Sequence, residues 1–222
     1  MLFDLRSRGR RRTVQVIYAF LAVLMLGGLV LFGVGAGNGI GGLLNAFTNS
    51  GSSTSNTGVI TKQTRQALKL TRANPNSQHA WFQLLQARYS EAGSGSNFNP
   101  STGVYTASGI RQLKLAGNAW QRYLHLAQKP SPEAATLAAR TYSITGNWSH
   151  AATAWEFVAN AEPTAASPFI CLAATSYAAK QTRKGDLATA QAISLAPKLQ
   201  RLQVKQELKT AKTSNSVAQS CG

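Results

Sequence analysis

The stretch PEAATLAARTYSITGNWSHAATAWEFVANAEP, residues 132–163, determines the fold of this chain. Prolines stand at both of its ends, and Gly146-Asn147-Trp148 interrupts it in the middle. Small and aromatic residues recur every three or four positions on either side of the interruption, which predicts helices at 132–145 and 148–161. Because Pro163 cannot continue a helix, the second helix ends before it. The stretch therefore predicts one helix-turn-helix unit.

Prolines recur along the chain at about the length of this unit. Four of them are separated by steps of 55, 33 and 34 residues: Pro75, Pro130, Pro163 and Pro197. A period near 34 residues is typical of a helix-turn-helix repeat, and a Gly/Ser/Asn-rich loop at 93–107 accounts for the longer first step. Ser108 is the expected cap of the helix after this loop, and Gly185 the expected turn of the last unit. Apolar spacing predicts the remaining helices at 62–74, 77–92, 108–129, 167–182, 186–195 and 198–212.

The central stretch resembles a tetratricopeptide repeat (TPR). Ala135-x2-Ala138-Ala139-x2-Tyr142 stands where such repeats carry W-x2-L-G-x2-Y, and Ala151-x3-Trp155-x2-Val158-x4-Pro163 reproduces the second-helix pattern. The resemblance implies an all-α, TPR-like superhelix of about three units over 60–212, with 62–75 and 198–212 covering its ends. The residues expected to pack the units together are Trp81, Leu84, Ala119, Tyr123, Tyr142, Ala151, Trp155, Phe169 and Leu172.

The resemblance also implies a groove along the first helices of the units, in which TPR arrays hold an extended peptide or a partner helix. Some TPR arrays recognise a C-terminal carboxylate through Lys, Asn and Arg, but this chain has Gln83, Leu137 and Cys171 at those positions, so that clamp is absent. The expected partners are therefore other proteins that do not present a charged terminus. The groove-facing candidates are His79, Phe82, Gln86, Tyr89, Glu133, Thr136, Arg140, Ser167, Ile170 and Tyr177.

The N-terminal part of the sequence predicts one membrane span. No Asp, Glu, Lys, Arg or His occurs from Thr13 to Thr61, and the 23 residues of 14–36 are almost entirely apolar. Five arginines in the basic tail 1–12 indicate that the N-terminus is cytoplasmic and that the rest of the chain lies outside. A cleaved signal peptide is the alternative, although its apolar segment is usually shorter. We thus expect a transmembrane helix at 13–36 and a flexible tether at 37–59.

The composition argues against an enzyme. The chain of 222 residues carries 23 Lys and Arg against 7 Asp and Glu, with only three His and two Cys. These numbers leave little material for acid/base chemistry or for a metal cage, so we expect no catalytic residue, no metal and no cofactor. Instead, the basic tail, single span, tether and helical array resemble the membrane-anchored TPR adaptors of the bacterial envelope, which attend secretion, folding or envelope assembly.

Several features leave alternatives open. The net charge of +16 allows a second function class, in which the basic domain is an electrostatic anchor to anionic lipid, envelope polymer or nucleic acid. Nucleic acid would require the domain to lie inside the cell. The loop 93–107 is either disordered, or its hydrophobic anchors Phe98 and Tyr105 fold back into the groove or contact a partner. Cys171 and Cys221 either pair or are a core thiol and an isolated thiol. The tail 213–222 has no pattern and is expected to be disordered.

Overall fold

A computed structural model of the chain describes the backbone from Ser53 to Gly222 and the side chains from Gly58. The predicted span at 13–36 and most of the predicted tether lie outside these residues. Within the described residues, each helix is too short or too polar to cross a membrane.

The described chain is all-α apart from one two-stranded hairpin, so the predicted fold class is confirmed at that level. The hairpin follows a short 3-10 turn at Gly95–Asn97 and pairs Phe98 with Tyr105. The strands are β1 (Phe98–Asn99) and β2 (Val104–Tyr105). The helices are α1 (Ser53–Ala73), α2 (Gln78–Ala92), α3 (Ala107–Leu126), α4 (Pro132–Ile144), α5 (Trp148–Ala161), α6 (Ala166–Ala178), α7 (Thr182–Leu195), α8 (Arg201–Ala211) and α9 (Ser216–Gln219).

Hydroxyl side chains cap the N-terminal ends of three helices. The Ser77 hydroxyl accepts a hydrogen bond from the Ala80 amide at the start of α2, and the Ser131 hydroxyl does the same at the start of α4. At the start of α3 the cap is Thr106, not the predicted Ser108. Ser108 already lies in the first turn, where its hydroxyl is 2.9 Å from that of Thr106. The helix α3 starts before the predicted position because the chain is still extended at Thr106, directly after β2.

Consecutive helices pack in pairs, α2 with α3, α4 with α5 and α6 with α7. The pairs are stacked in chain order, because α4 also contacts α3 and α6 also contacts α5. Alanine dominates the interfaces of the central pair, where Ala135, Ala138 and Ala151 are completely buried. Side chains this small let the helix backbones approach closely, so a narrow core can hold the array together.

The turns of the second and third pairs have the same geometry 34 residues apart. Gly146 has a φ of 71°, and the next amide, that of Asn147, donates to the Tyr142 carbonyl at 2.9 Å. Lys180 has a φ of 63°, and the Gln181 amide donates to the Ser176 carbonyl at 2.8 Å. Both are helix ends closed by one left-handed residue.

The predicted turn at Gly185 is therefore wrong, since the chain turns at Lys180 and the third pair is as regular as the second. Gly185 lies inside α7, where it serves packing. A Cβ at this position would be 2.5 Å from Cε1 of Tyr177. Glycine is required at 185 because the Tyr177 ring lies directly against its backbone.

The tail 213–222 is ordered, contrary to the prediction. Its residues Val217, Ala218 and Cys221 are buried, and α9 contacts α4, α6 and α8. Cys221 forms a disulfide with Cys171 of α6, which settles the open alternative in favour of pairing. The tail is ordered although it has no local helical pattern, because contacts distant in sequence hold it in place.

Two other segments are more ordered than expected. The helix α1 begins at Ser53, so the last residues of the predicted tether 37–59 are helical. The loop 93–107 folds into the 3-10 turn and the hairpin, and the rings of Phe98 and Tyr105 pack in a tilted arrangement with centroids 4.9 Å apart. The hairpin joins the C-terminal end of α2 to the start of α3, since the Asn97 side chain donates to the Glu91 carbonyl at 2.8 Å.

Candidate functional site

The residues predicted to pack the units lie in or against one common core. Trp81 and Phe169 are half-buried at its edge. The other seven are buried: Leu84, Ala119, Tyr123, Tyr142, Ala151, Trp155 and Leu172.

Two tyrosine hydroxyls join neighbouring helix pairs. The Tyr123 hydroxyl of α3 accepts a hydrogen bond from the Ser131 amide at 2.8 Å, immediately before α4. The Tyr142 hydroxyl of α4 donates to the Gly117 carbonyl of α3 at 3.0 Å and accepts from Gln121 at 2.9 Å. Burial of Tyr142 raises the pKa of its phenol. These bonds fix the angle between the pairs, and with it the shape of the surface that α2, α4 and α6 share.

The groove candidates differ in how much of each side chain reaches solvent. Four are exposed: His79, Glu133, Arg140 and Ser167. Five are half-buried: Phe82, Gln86, Tyr89, Thr136 and Ile170. The tenth candidate, Tyr177, is only 7% exposed and is unavailable to a partner.

The C-terminal tail covers one end of the predicted groove. Its last residue lies against the end of α4, because a Cβ at Gly222 would be 2.6 Å from Cγ1 of Ile144. The disulfide joins the same tail to Cys171 in the middle of α6. The C-terminal end of α4 and the middle of α6 are therefore in contact with the chain's own tail.

Tyr177 is buried beneath α8 and α7. Its hydroxyl donates to the Asp186 carboxylate at 2.8 Å, and the Lys212 ammonium lies 5.1 Å from the ring centroid. Lys212 also binds Asp186 at 2.7 Å. Hydrogen bonds from Lys212 and Tyr177 lower the pKa of Asp186, and burial raises the pKa of Tyr177. These contacts hold α6, α7 and the C-terminal end of α8 together.

The β-hairpin covers the end of α2 in a similar way. Burial raises the pKa of Tyr105, and the electrostatic effect of Tyr89 raises it further. Phe98 and Tyr105 pack against each other across the hairpin, whereas the sequence suggested that these anchors fold back into the groove or contact a partner.

The part of the predicted groove that stays open comprises the exposed His79 on α2, Glu133 and Arg140 on α4 and Ser167 on α6, together with the half-buried Thr136 of α4. The centroids of the Phe82 and Tyr123 rings are 6.0 Å apart. Phe82 therefore packs against the helix behind it, and only part of its ring faces the groove. Glu133 and Arg140 form no ion pair with any described residue. This open strip offers charges of both signs, an imidazole at His79 and hydroxyls to a bound segment.

A second concave site lies between α1, α2 and α3, and the sequence patterns did not reveal it. It is a cleft of about 540 Å³ that includes none of the ten groove candidates. The residues on α3 recur at helical spacing, but only the approach of α1 turns that stripe into a cleft. The residues that line it are Leu68, Trp81, Leu84, Arg88, Leu115, Asn118, Ala119, Gln121, Arg122 and His125.

In the described part of the chain, no group of three or more His, Cys, Asp and Glu side chains is placed to hold a metal ion. No protein-family model matches the chain, and a search of curated proteins finds no significant match.

Proposed function

We propose that this chain is a membrane-anchored scaffold whose TPR-like superhelix lies outside the cytoplasm and holds segments of other proteins. The observation that carries the proposal is the open strip on α2, α4 and α6. There His79, Glu133, Arg140 and Ser167 are exposed on the first helices of three consecutive pairs. The 34-residue equivalence of the turns at Gly146 and Lys180 supports a true repeat.

The disulfide supports the location outside the cytoplasm. Disulfides persist in oxidising compartments and are rare in the cytosol, where thiols are kept reduced. The five arginines before the apolar stretch 14–36 favour the same orientation on independent grounds. Together they favour a domain held beside the outer face of the membrane, where exported or envelope proteins are the available partners.

The strip is tested by replacing two exposed side chains in the full chain, His79→Ala with Arg140→Ala, and crosslinking proteins in intact cells. We expect the partners to co-purify at a yield several-fold lower, because the strip loses both a cation and an imidazole. Thermal unfolding should be nearly unchanged, since both side chains are exposed. Arg183→Ala, an exposed residue of α7, is the matched control. The same partners at the same yield in all three proteins would refute the strip as the binding surface.

A further inference from the structure

We infer that the cleft between α1, α2 and α3 binds an acidic segment of another protein that carries apolar side chains. The inference concerns a second surface, distinct from the open strip, and holds whether or not that strip binds a partner.

The cleft has the size and the lining of a ligand site. Its volume of about 540 Å³ lies within the usual range of ligand pockets, ~300–1,000 Å³. The floor is apolar, with Leu84 buried and with Leu68 and Trp81 half-buried. Leu115 on the rim is 39% exposed although it is large and apolar. One or two apolar side chains of a partner can pack against these side chains and so be removed from water.

Trp81 is held rigidly in the cleft. Its indole nitrogen donates to the Pro75 carbonyl at 2.7 Å, so the ring loses little freedom when a partner packs against it. Half-buried tryptophans with a fixed orientation are frequent centres of binding energy in protein interfaces.

The charged groups of the cleft have one sign. They are the guanidinium groups of Arg88 and Arg122, and no carboxylate lines the cleft. Arg88 is oriented by Gln112 at 2.6 Å and by Glu91 at 3.4 Å. Arg122 is exposed and makes no hydrogen bond or ion pair with any described residue, so its guanidinium is free to donate two parallel hydrogen bonds to a carboxylate.

The chain itself is a poor source of the complementary acid. Residues 58–222 carry 18 basic and six acidic side chains, and three of the acids, Glu91, Glu156 and Asp186, are already in salt bridges. The N-terminal stretch from Thr13 to Thr61 carries no acid at all. A second copy would bring excess positive charge to a positive cleft. A separate acidic protein is therefore the occupant that the charges favour.

The test measures fluorescence polarisation of a labelled synthetic helical peptide of Glu and Leu against the full chain in neutral detergent. Two control peptides replace Glu by Lys or Leu by Ala. The variant Arg122→Glu should weaken binding of the Glu/Leu peptide about tenfold or more, and Arg122→Gln by less, because a bidentate charged contact is lost or repelled. Arg183→Glu, with the same charge change outside the cleft, should alter the affinity less than about twofold.

Several results would overturn the inference. It fails if the Glu/Leu peptide does not bind, if the Ala control peptide binds equally well, or if Arg122→Glu and Arg183→Glu weaken binding equally. It also fails if only phosphatidylglycerol vesicles, and no peptide, bind in an Arg122-dependent way. The strip variant His79→Ala/Arg140→Ala should keep its affinity for the peptide, which separates the failure of this cleft from the failure of the proposed strip.

Discussion

Lys180 occupies the left-handed region of backbone space at the turn between α6 and α7, where its φ is 63°. The equivalent turn between α4 and α5 uses Gly146. A side chain in this conformation crowds the adjacent carbonyl oxygen and costs about 1–2 kcal/mol. The fold accepts that cost because the turn amides are satisfied by the carbonyls of Ser176 and Tyr177.

Replacement of Lys180 by glycine should stabilise the protein. We expect Lys180→Gly to increase the free energy of unfolding by about 1 kcal/mol, because the crowding at this residue is relieved. Urea unfolding followed by circular dichroism measures the change. The control Lys180→Ala removes the charge and keeps the crowding, so it should not stabilise. A Lys180→Gly variant that is less stable than the wild type would contradict the assigned turn.

The same residue explains one limit of the sequence prediction. The 34-residue spacing indicates a turn at position 180. Because lysine is not typical of turns, the turn was predicted at the nearby Gly185 instead. Glycine has two uses, as a left-handed turn and as a gap for a neighbouring side chain. Only the contact with Tyr177 shows that Gly185 has the second use.

At the scale of elements, the two central helices were predicted almost to the residue. Their observed bounds are Pro132–Ile144 and Trp148–Ala161, against predictions of 132–145 and 148–161. Prolines and Gly146 mark these ends locally, so no tertiary information was needed. The hairpin β1–β2 was not predicted, because its order depends on contacts with α2 and α3.

The tail α9 was missed because its order is entirely tertiary. Val217 and Ala218 are buried against other helices, and Cys221 is bonded to a residue 50 positions away. Sequence patterns detect local periodicity and capping, and this tail has neither. The two cysteines were the available signal, but spacing alone could not tell a pair from two separate thiols.

Loss of the disulfide should loosen the tail and destabilise the domain. Because the two cysteines are 50 residues apart, the chain-entropy effect of the bond is about 4 kcal/mol. We expect reductant to lower the melting temperature of the wild type and to increase amide hydrogen exchange in 213–222.

The double variant Cys171→Ala/Cys221→Ala is the control for this prediction. It should melt at the lower temperature whether or not reductant is present. Labelling of thiols in unreduced, denatured wild-type protein would show that the bond is absent and would contradict the assignment.

At the scale of the whole molecule, the chain covers part of its own predicted groove. The tail contacts the C-terminal end of α4 and the middle of α6, and the segment that leads into the hairpin is hydrogen-bonded to the end of α2. The ten candidates could be placed on the first helices of the units from spacing alone. Their accessibility could not be predicted, because it depends on segments that fold back from elsewhere. The cleft was missed for the same reason, since three helices must meet to form it.

The positions of the acidic side chains show how the positive charge of the described residues is distributed. Three of the six described acidic side chains are already paired, and the cationic cleft has Arg122 unpaired among the described residues. The charge is thus locally organised, with one strip that carries both signs and one cleft that carries only positive charge. We propose that these two surfaces select different segments of partner proteins.

Site-specific photocrosslinking in intact cells tests the central claim most directly. A benzophenone amino acid is placed at Thr136 of α4 or Ser167 of α6, within the strip, and at Thr153 of α5 as an exposed control. We expect discrete protein adducts from the two strip positions and none from Thr153, with the adducts diminished by Arg140→Ala. No adduct from the strip, or the same adducts from Thr153, would contradict the account.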